Sequence, residues 1–276
     1  MADRINTTAE SGRVLASALV DIYGVPDFWT QVRSAAHVSL FLDFDGTLAP
    51  FHADRLQAFP LPGTVDALKY IIDEKLAAVA LVSGRPIVEI TLLMGDLGTT
   101  IVGAHGYEMH RPGGAKHVIT ILPEQASILD AAFDAALRIF DPARVERKAA
   151  SVAAHFRGLD PRATSDVQQQ LERRWRAASV SELMEFRPFN GGLELRAAGR
   201  TKGTAIEELL ALAPADTLPI YIGDDDTDED AFAVLEGRGI GIKVGPQDAV
   251  TKAVGRVPDS EAVRQILIDW PSGRST

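Results

Sequence analysis

Along the 276-residue chain the apolar positions switch between short continuous runs and helical spacing. Val38 to Phe44 (VSLFLDF) is a nearly unbroken apolar run, which predicts a strand covered on both faces. Leu61 to Leu76 then predicts a helix opened by Pro62 and Gly63, and Ala77 to Val82 a second buried strand. Pro86 suits a first helical turn, so Ile87 to Met94 reads as the next helix. Lys202 to Leu212 resumes a helical pattern, followed by strands at Pro219 to Gly223 and Gly239 to Val244. Strand and helix in alternation build a parallel sheet with helices on both faces. Between about Arg111 and Phe189 the rhythm breaks: HRPGG at His110 to Gly114 opens a segment with helical stretches near Glu124 to Phe140 and Ser165 to Ala178 and strand-like pieces between. The expectation is an α/β core of residues 1–110 and 190–276, interrupted by an α+β insertion over 111–189. Residues 1–35 carry Val14, Leu15, Leu19, Ile22, Phe28, Trp29 and Val32 at helical spacing, which predicts one or two helices laid on that core.

With 46% hydrophobic residues the chain has ample material for a core, and there is no internal repeat or low-complexity tract. Its 28 Lys and Arg against 38 Asp and Glu leave a net charge of −10, which argues against nucleic-acid or anionic-membrane partners. Cysteine is absent, so disulfides, thiolate metal sites and cysteine nucleophiles are excluded together. The start MADRINTTAESGR has no cationic, apolar secretory pattern, and no apolar run approaches the ~20 residues of a membrane span. A soluble, cytoplasmic protein is expected.

Four motifs carry candidate chemistry. Asp43-Phe44-Asp45-Gly46-Thr47 ends the first core strand, at the sheet edge where ligands of open α/β folds bind. Alternate carboxylates there can converge once Gly46 turns the chain, one as a covalent nucleophile and the other for proton transfer. Val82-Ser83-Gly84-Arg85 ends the next strand, and the Ser83 hydroxyl and the following helix N-terminus suit a phosphate oxygen. Lys202 opens a helix and can neutralise a phosphoryl group and its attacking carboxylate. Gly223-Asp224-Asp225-Asp226-Thr227-Asp228-Glu229-Asp230 packs six acids into seven positions, which repel unless solvent or a hard cation such as Mg²⁺ screens them. Each motif has an ordinary structural use: a turn, a solvated lysine, or an acidic helix N-terminus. Their conjunction at strand ends and a helix start, in the order one site needs, favours the chemistry.

Taken together, these motifs resemble those of the haloacid dehalogenase (HAD) superfamily of phosphatases over roughly residues 38–245. The resemblance implies a Rossmann-like doubly wound parallel sheet with an inserted α+β cap. It implies Asp43 as nucleophile, Asp45 as general acid and then base, Thr47, Ser83, Gly84 and Arg85 at the phosphate, and Lys202 as charge clamp. Mg²⁺ would be held by Asp43, the Asp45 carbonyl and Asp224, with Asp225 and Asp228 nearby. Within the superfamily the chain is similar to trehalose-6-phosphate phosphatases, through GDDDTDEDAF, Gly103-Ala104-His105-Gly106, Glu146-Arg147-Lys148, His155-Phe156-Arg157 and an LELR strand. That likeness implies sugar contacts from Glu146, Arg157 and Glu194, with His105 stabilising a turn close by. Glu146 and Arg157 would also fit an ordinary surface ion pair. Asn190 stands where that family commonly has a lysine. The expected substrate is trehalose 6-phosphate. The departure at Asn190 keeps open another glycosyl phosphate (glucosylglycerol, mannosylglycerate or sucrose phosphate). A silent sugar- or metal-binding regulatory domain is the rival of a different class.

Overall fold

The computed structural model describes residues 22–246 and 250–274. Its first strands are β1 (His37–Leu42), β2 (Ala78–Val82), β3 (Thr100–Gly103), β4 (Glu108–His110) and β5 (His117–Val118). A second group follows, β6 (Val145–Arg147), β7 (Ser151–His155), β8 (Met184–Phe189) and β9 (Gly192–Ala197), and the chain ends through β10 (Thr217–Gly223), β11 (Ile240–Val244) and β12 (Gly255–Val257). The helices are α1 (Phe28–Ser34), α2 (Thr64–Asp73), α3 (Ile87–Met94), α4 (Pro123–Leu137), α5 (Pro161–Ala178), α6 (Lys202–Leu210), α7 (Glu229–Leu235) and α8 (Ser260–Arg274). None of these is long and apolar enough to cross a membrane.

Among the described residues the larger sheet runs in the order β12-β11-β10-β1-β2-β3-β4-β5. Pairing is parallel from β12 to β3 and antiparallel for β4 and β5 at one edge. Side chains alternate across β1: Leu40 and Leu42 join the cluster holding Val32, Leu68, Ile90 and Trp270, while Phe41 faces the opposite cluster with Ile206, Phe232 and Leu235. A strand covered on both faces must be apolar throughout, which is why VSLFL was legible. From β1 the chain first builds outward through β2 and β3, and only later returns to lay β10 on the other side. β1 is therefore the switch point of the sheet, and the crevice beyond its carboxyl end is where a ligand fits.

The second sheet is antiparallel, in the order β6-β7-β9-β8. Val152, Ala154, Leu193 and Leu195 point from it towards Leu129 of α4 and Leu171 and Trp175 of α5. The two-residue period then sends Glu146, Lys148 and Glu194 to the other face, towards the first sheet. The expected division at 110/111 and 189/190 cuts through both sheets: His117–Val118 is an edge strand of the first, and Gly192–Ala197 is an inner strand of the second. The LELR run is strongly apolar on alternate positions in either setting, so periodicity alone did not assign it to a sheet.

Phe28, Trp29 and Val32 of α1 are buried, and the two rings pack edge-on against Trp270 of α8. The helical positions Val14, Leu15 and Leu19 lie outside the described residues.

Candidate active site

A cleft of about 660 Å³ separates the carboxyl ends of β1, β2 and β10 from the polar face of the second sheet. On its floor, Asp43 follows β1 directly, and its backbone N–H donates to the Ile222 carbonyl of β10 at 2.9 Å, pinning the carboxylate over the sheet edge. Thr201 caps α6, placing Lys202 at the first helical position, where its 2%-exposed side chain donates to Asp43 Oδ1 at 2.8 Å and Asp228 Oδ1 at 2.6 Å. Asp228 is wholly buried and also accepts from the Tyr221 hydroxyl at 2.5 Å and the Asp225 N–H at 2.8 Å. It therefore orients Lys202 and closes the turn after β10.

Gly46 makes the approach of Asp224 possible. Its φ is +73°, and a Cβ there would sit 2.2 Å from Asp224 Oδ2. Asp43, Asp224 and Asp228 can bring one oxygen each within 4.8 Å of one another. Three carboxylates against one ammonium leave this volume short of positive charge. Burial, followed by the neighbouring carboxylates, pushes Asp43 up to about 7 despite Lys202, and Asp224 up to about 9. Burial alone would lower Lys202, but Asp228 and Asp43 outweigh it and hold its pKa above the ordinary value. An all-oxygen donor set with unmet negative charge fits a hard divalent cation such as Mg²⁺.

Several expected residues sit differently. The Asp45 carboxylate lies outside the acidic group: Arg85 holds it by a fork, Nε to Oδ2 at 2.6 Å and Nη2 to Oδ1 at 2.7 Å. Asp225 also lies outside it, because its side chain accepts from the Asp226 N–H at 2.7 Å. Thr47 is fully buried with its hydroxyl 3.5 Å from Asp224 Oδ1, beneath the cleft rather than on its wall. Ser83 and Gly84 do line the cleft. The Ser83 hydroxyl accepts from the Arg85 N–H at 3.2 Å.

Across the cleft, strand register aligns Glu146, Ala153, Glu194 and Arg187 in one row over β6, β7, β9 and β8. Ala153, the smallest of them, leaves space between the two glutamates. Glu194 is 4% exposed and accepts from Lys148 at 2.9 Å and from the Ser151 hydroxyl at 2.7 Å, both through Oε1. Its Oε2 lies 3.0 Å from His105 Nε2. Burial would raise Glu194, but Lys148, His105 and Ser151 hold it well below the carboxylate range. Burial lowers His105, whose Nδ1 has no partner, so a neutral imidazole with its proton on Nε2 satisfies the pair. His105 has φ +56°, and a Cβ on Gly84 would come within 2.5 Å of its ring.

Glu146 pairs with Arg55 Nη1 at 2.7 Å and His155 Nε2 at 3.1 Å. Burial opposes its ionisation, but Lys148, His155 and Arg55 bring it down to about 2. The surface pair of Glu146 with Arg157 does not form. Arg157 instead lies over the Phe51 ring at 4.1 Å and donates to the Asn190 carbonyl, both residues lining the cleft mouth.

Arg55, Glu89 and Tyr221 join the site with no motif to mark them, and Lys148, in the Glu146-Arg147-Lys148 run, joins it in a role that run did not assign. Lys148 had a signal, since it stands two positions from Glu146, just past the end of β6. Arg55 had none, because a charged residue in a loop reads as solvated.

A family model described as trehalose-phosphatase matches residues 41–261. The chain belongs to the trehalose-phosphatase family. A probable trehalose-phosphate phosphatase of Sinorhizobium fredii is 33% identical over 234 residues, covering 83% of this chain and 86% of that protein. The trehalose-phosphate phosphatase of Mycobacterium bovis is 32% identical over 78% of this chain, which spans 55% of it. An uncharacterised glycosyl hydrolase of Mycobacterium tuberculosis is 29% identical, and the chain spans 19% of its length. The family's fold recurs in the Candida albicans trehalose-6-phosphate phosphatase C-terminal domain, with a TM-score of 0.78 at 19% identity over 88% of this chain and 96% of that one. A haloacid dehalogenase-like hydrolase from Bacillus subtilis shares it at a TM-score of 0.58 and 16% identity, over 83% and 98%. These likenesses bear out the α/β doubly wound architecture expected from the motifs.

Proposed function

We propose that this chain is a Mg²⁺-dependent phosphatase that converts trehalose 6-phosphate to trehalose and phosphate through an aspartyl phosphate on Asp43. The observation that carries this reading is the opposition of two sets of groups across one cleft. Asp43, Lys202 and Asp224 form a charged floor, while Glu146 and Glu194 face it as acceptors for hydroxyl groups. Family membership and the relatives' names support the choice of substrate.

Asp43 attacks phosphorus as the bond to the sugar oxygen breaks, and Asp45 gives that oxygen a proton. Water then attacks phosphorus of the aspartyl phosphate while Asp45 takes up its proton, releasing phosphate and restoring Asp43. Lys202 keeps the attacking carboxylate oriented and offsets charge on the phosphoryl group. Arg85 occupies both oxygens of Asp45. A phosphoryl group competes for the same guanidinium, and that exchange frees Asp45 to move a proton. Asp43, Asp224 and the carbonyl of Asp45 would hold Mg²⁺, with Asp228 behind them. When bound, Mg²⁺ supplies the positive charge that Lys202 alone does not.

Residues 123–197, the second sheet with α4 and α5, act as the cap, which excludes water and recruits the hydroxyls of the distal sugar. Asn190 at the cleft mouth favours a second reading, in which another glycosyl phosphate is preferred. The test is phosphate release from a panel of sugar phosphates, with and without Mg²⁺. Trehalose 6-phosphate should give the highest kcat/KM, and Asp43→Asn should abolish turnover. Preference for a different glycosyl phosphate would overturn the substrate, and silence on the whole panel would revive a binding domain.

A further inference from the structure

Arg55 bridges α3 of the core and β6 of the second sheet. It lies on a single helical turn, Arg55–Gln57, that Asp54 caps by accepting from the Leu56 N–H at 3.0 Å. Its guanidinium Nη1 lies 2.6 Å from Glu89 Oε1 on α3 and 2.7 Å from Glu146 Oε1 on β6. Its backbone carbonyl accepts from Arg85 Nη1 at 2.8 Å. Arg85 in turn contacts Glu89 Oε2 at 3.2 Å and forks onto Asp45. An unbroken chain of opposite charges thus runs Asp45, Arg85, Glu89, Arg55, Glu146, from the phosphoryl end to the second sheet. The same loop sets Phe51 under Arg157 and Ala53 against Gly158, so it meets the second sheet's surroundings at three places.

Glu89 and Glu146 are nearly enclosed, at 11% and 10% side-chain exposure. Their carboxylates would repel each other without the cation between them. Each carboxylate oxygen has two acceptor directions, so Glu146 can keep Arg55 and still receive a sugar hydroxyl.

We propose that Arg55 is a positioning residue that draws the second sheet onto the core by clamping Glu146 to Glu89. It thereby sets discrimination between glycosyl phosphates and small phosphate esters. This rests on the cleft being a glycosyl phosphate site. The phosphoryl end is complete without Arg55, whereas a sugar finds Glu146 in place only when Arg55 holds it there.

Two measurements test this. In the first, kcat and KM are compared for the preferred glycosyl phosphate and for p-nitrophenyl phosphate, which has no hydroxyls to reach Glu146. Arg55→Ala should lower kcat/KM for the glycosyl phosphate roughly 10- to 100-fold, mainly through KM, and change the small ester less than about threefold. Arg55→Lys should recover most of the loss, because both ion pairs use one nitrogen. Adding Arg55→Ala to Glu146→Ala should cost little more than either alone. Equal losses on both substrates, or losses that multiply in the double variant, would overturn the proposal. The second measurement needs no substrate. The chain has no cysteine, so Val180→Cys and Leu212→Cys, both at exposed positions, accept a donor and acceptor dye on the two parts. Arg55→Ala should shift energy transfer towards a longer distance, and an unchanged distribution would overturn the clamp. If the wild type hydrolyses only the small ester, the substrate reading falls while energy transfer still decides the role of Arg55.

Discussion

Arg85 holds Asp45 by a two-bond fork, at 2.6 and 2.7 Å, and carries Glu89 on Nη1 at 3.2 Å. A planar guanidinium can do this and still stack its face 5.4 Å from the Phe44 ring centroid. The proposed acid and base therefore rests on a cation that a phosphoryl group can claim.

Arg85→Lys keeps the charge and loses the fork. A point-like ammonium cannot orient both Asp45 oxygens, so kcat should fall roughly 100-fold, with a smaller change in metal affinity. Steady-state kinetics with a Mg²⁺ titration would show the difference. Wild-type kcat would mean the fork has no part in turnover.

Gly46→Ala should be more damaging than its size suggests. The new methyl would need a left-handed backbone, costing about 1–2 kcal/mol, and would strike Asp224. Displacing that carboxylate by an ångström should cost roughly 100-fold in kcat/KM and weaken Mg²⁺ binding. Isothermal titration with Mg²⁺ alone separates the metal effect from the chemistry.

Lys202→Ala abandons two buried carboxylates together. Unfolding in urea near neutral pH should show a loss of about 3–5 kcal/mol. The loss should shrink in acid, where Asp43, raised to about 7, takes up a proton. A stability loss independent of pH would argue for packing instead.

Stability of the metal-free protein should fall as pH rises. Asp43 and Asp224 have folded-state pKa values of about 7 and about 9 against an ordinary value of 3.8. Their protonated forms favour the fold fully below the unfolded value, and that contribution is lost as pH rises through the folded values. Thermal unfolding in a chelator should thus give a declining midpoint between about pH 4 and about pH 9. Millimolar Mg²⁺ should flatten the decline, since a cation bound to the folded form stabilises the carboxylates there.

By itself the sequence determined the sheet and the floor of the site. Buried parallel strands must be apolar on both faces, so Val38 to Val82 and Pro219 to Val244 announced their strands, and carboxylates placed just beyond them had to face the crevice. Asp43, Lys202 and Asp224 meet as that logic required. Tertiary structure decided which charges pair. Asp45 turned to Arg85, Asp225 to its own turn, and Glu146 to Arg55, which lies ninety-one positions away along the chain and carries no periodic signal. Period-two alternation says which face of a strand a glutamate occupies. Only the docking of two sheets says which cation waits opposite, because ion pairing depends on a few ångströms in space and on nothing local along the chain.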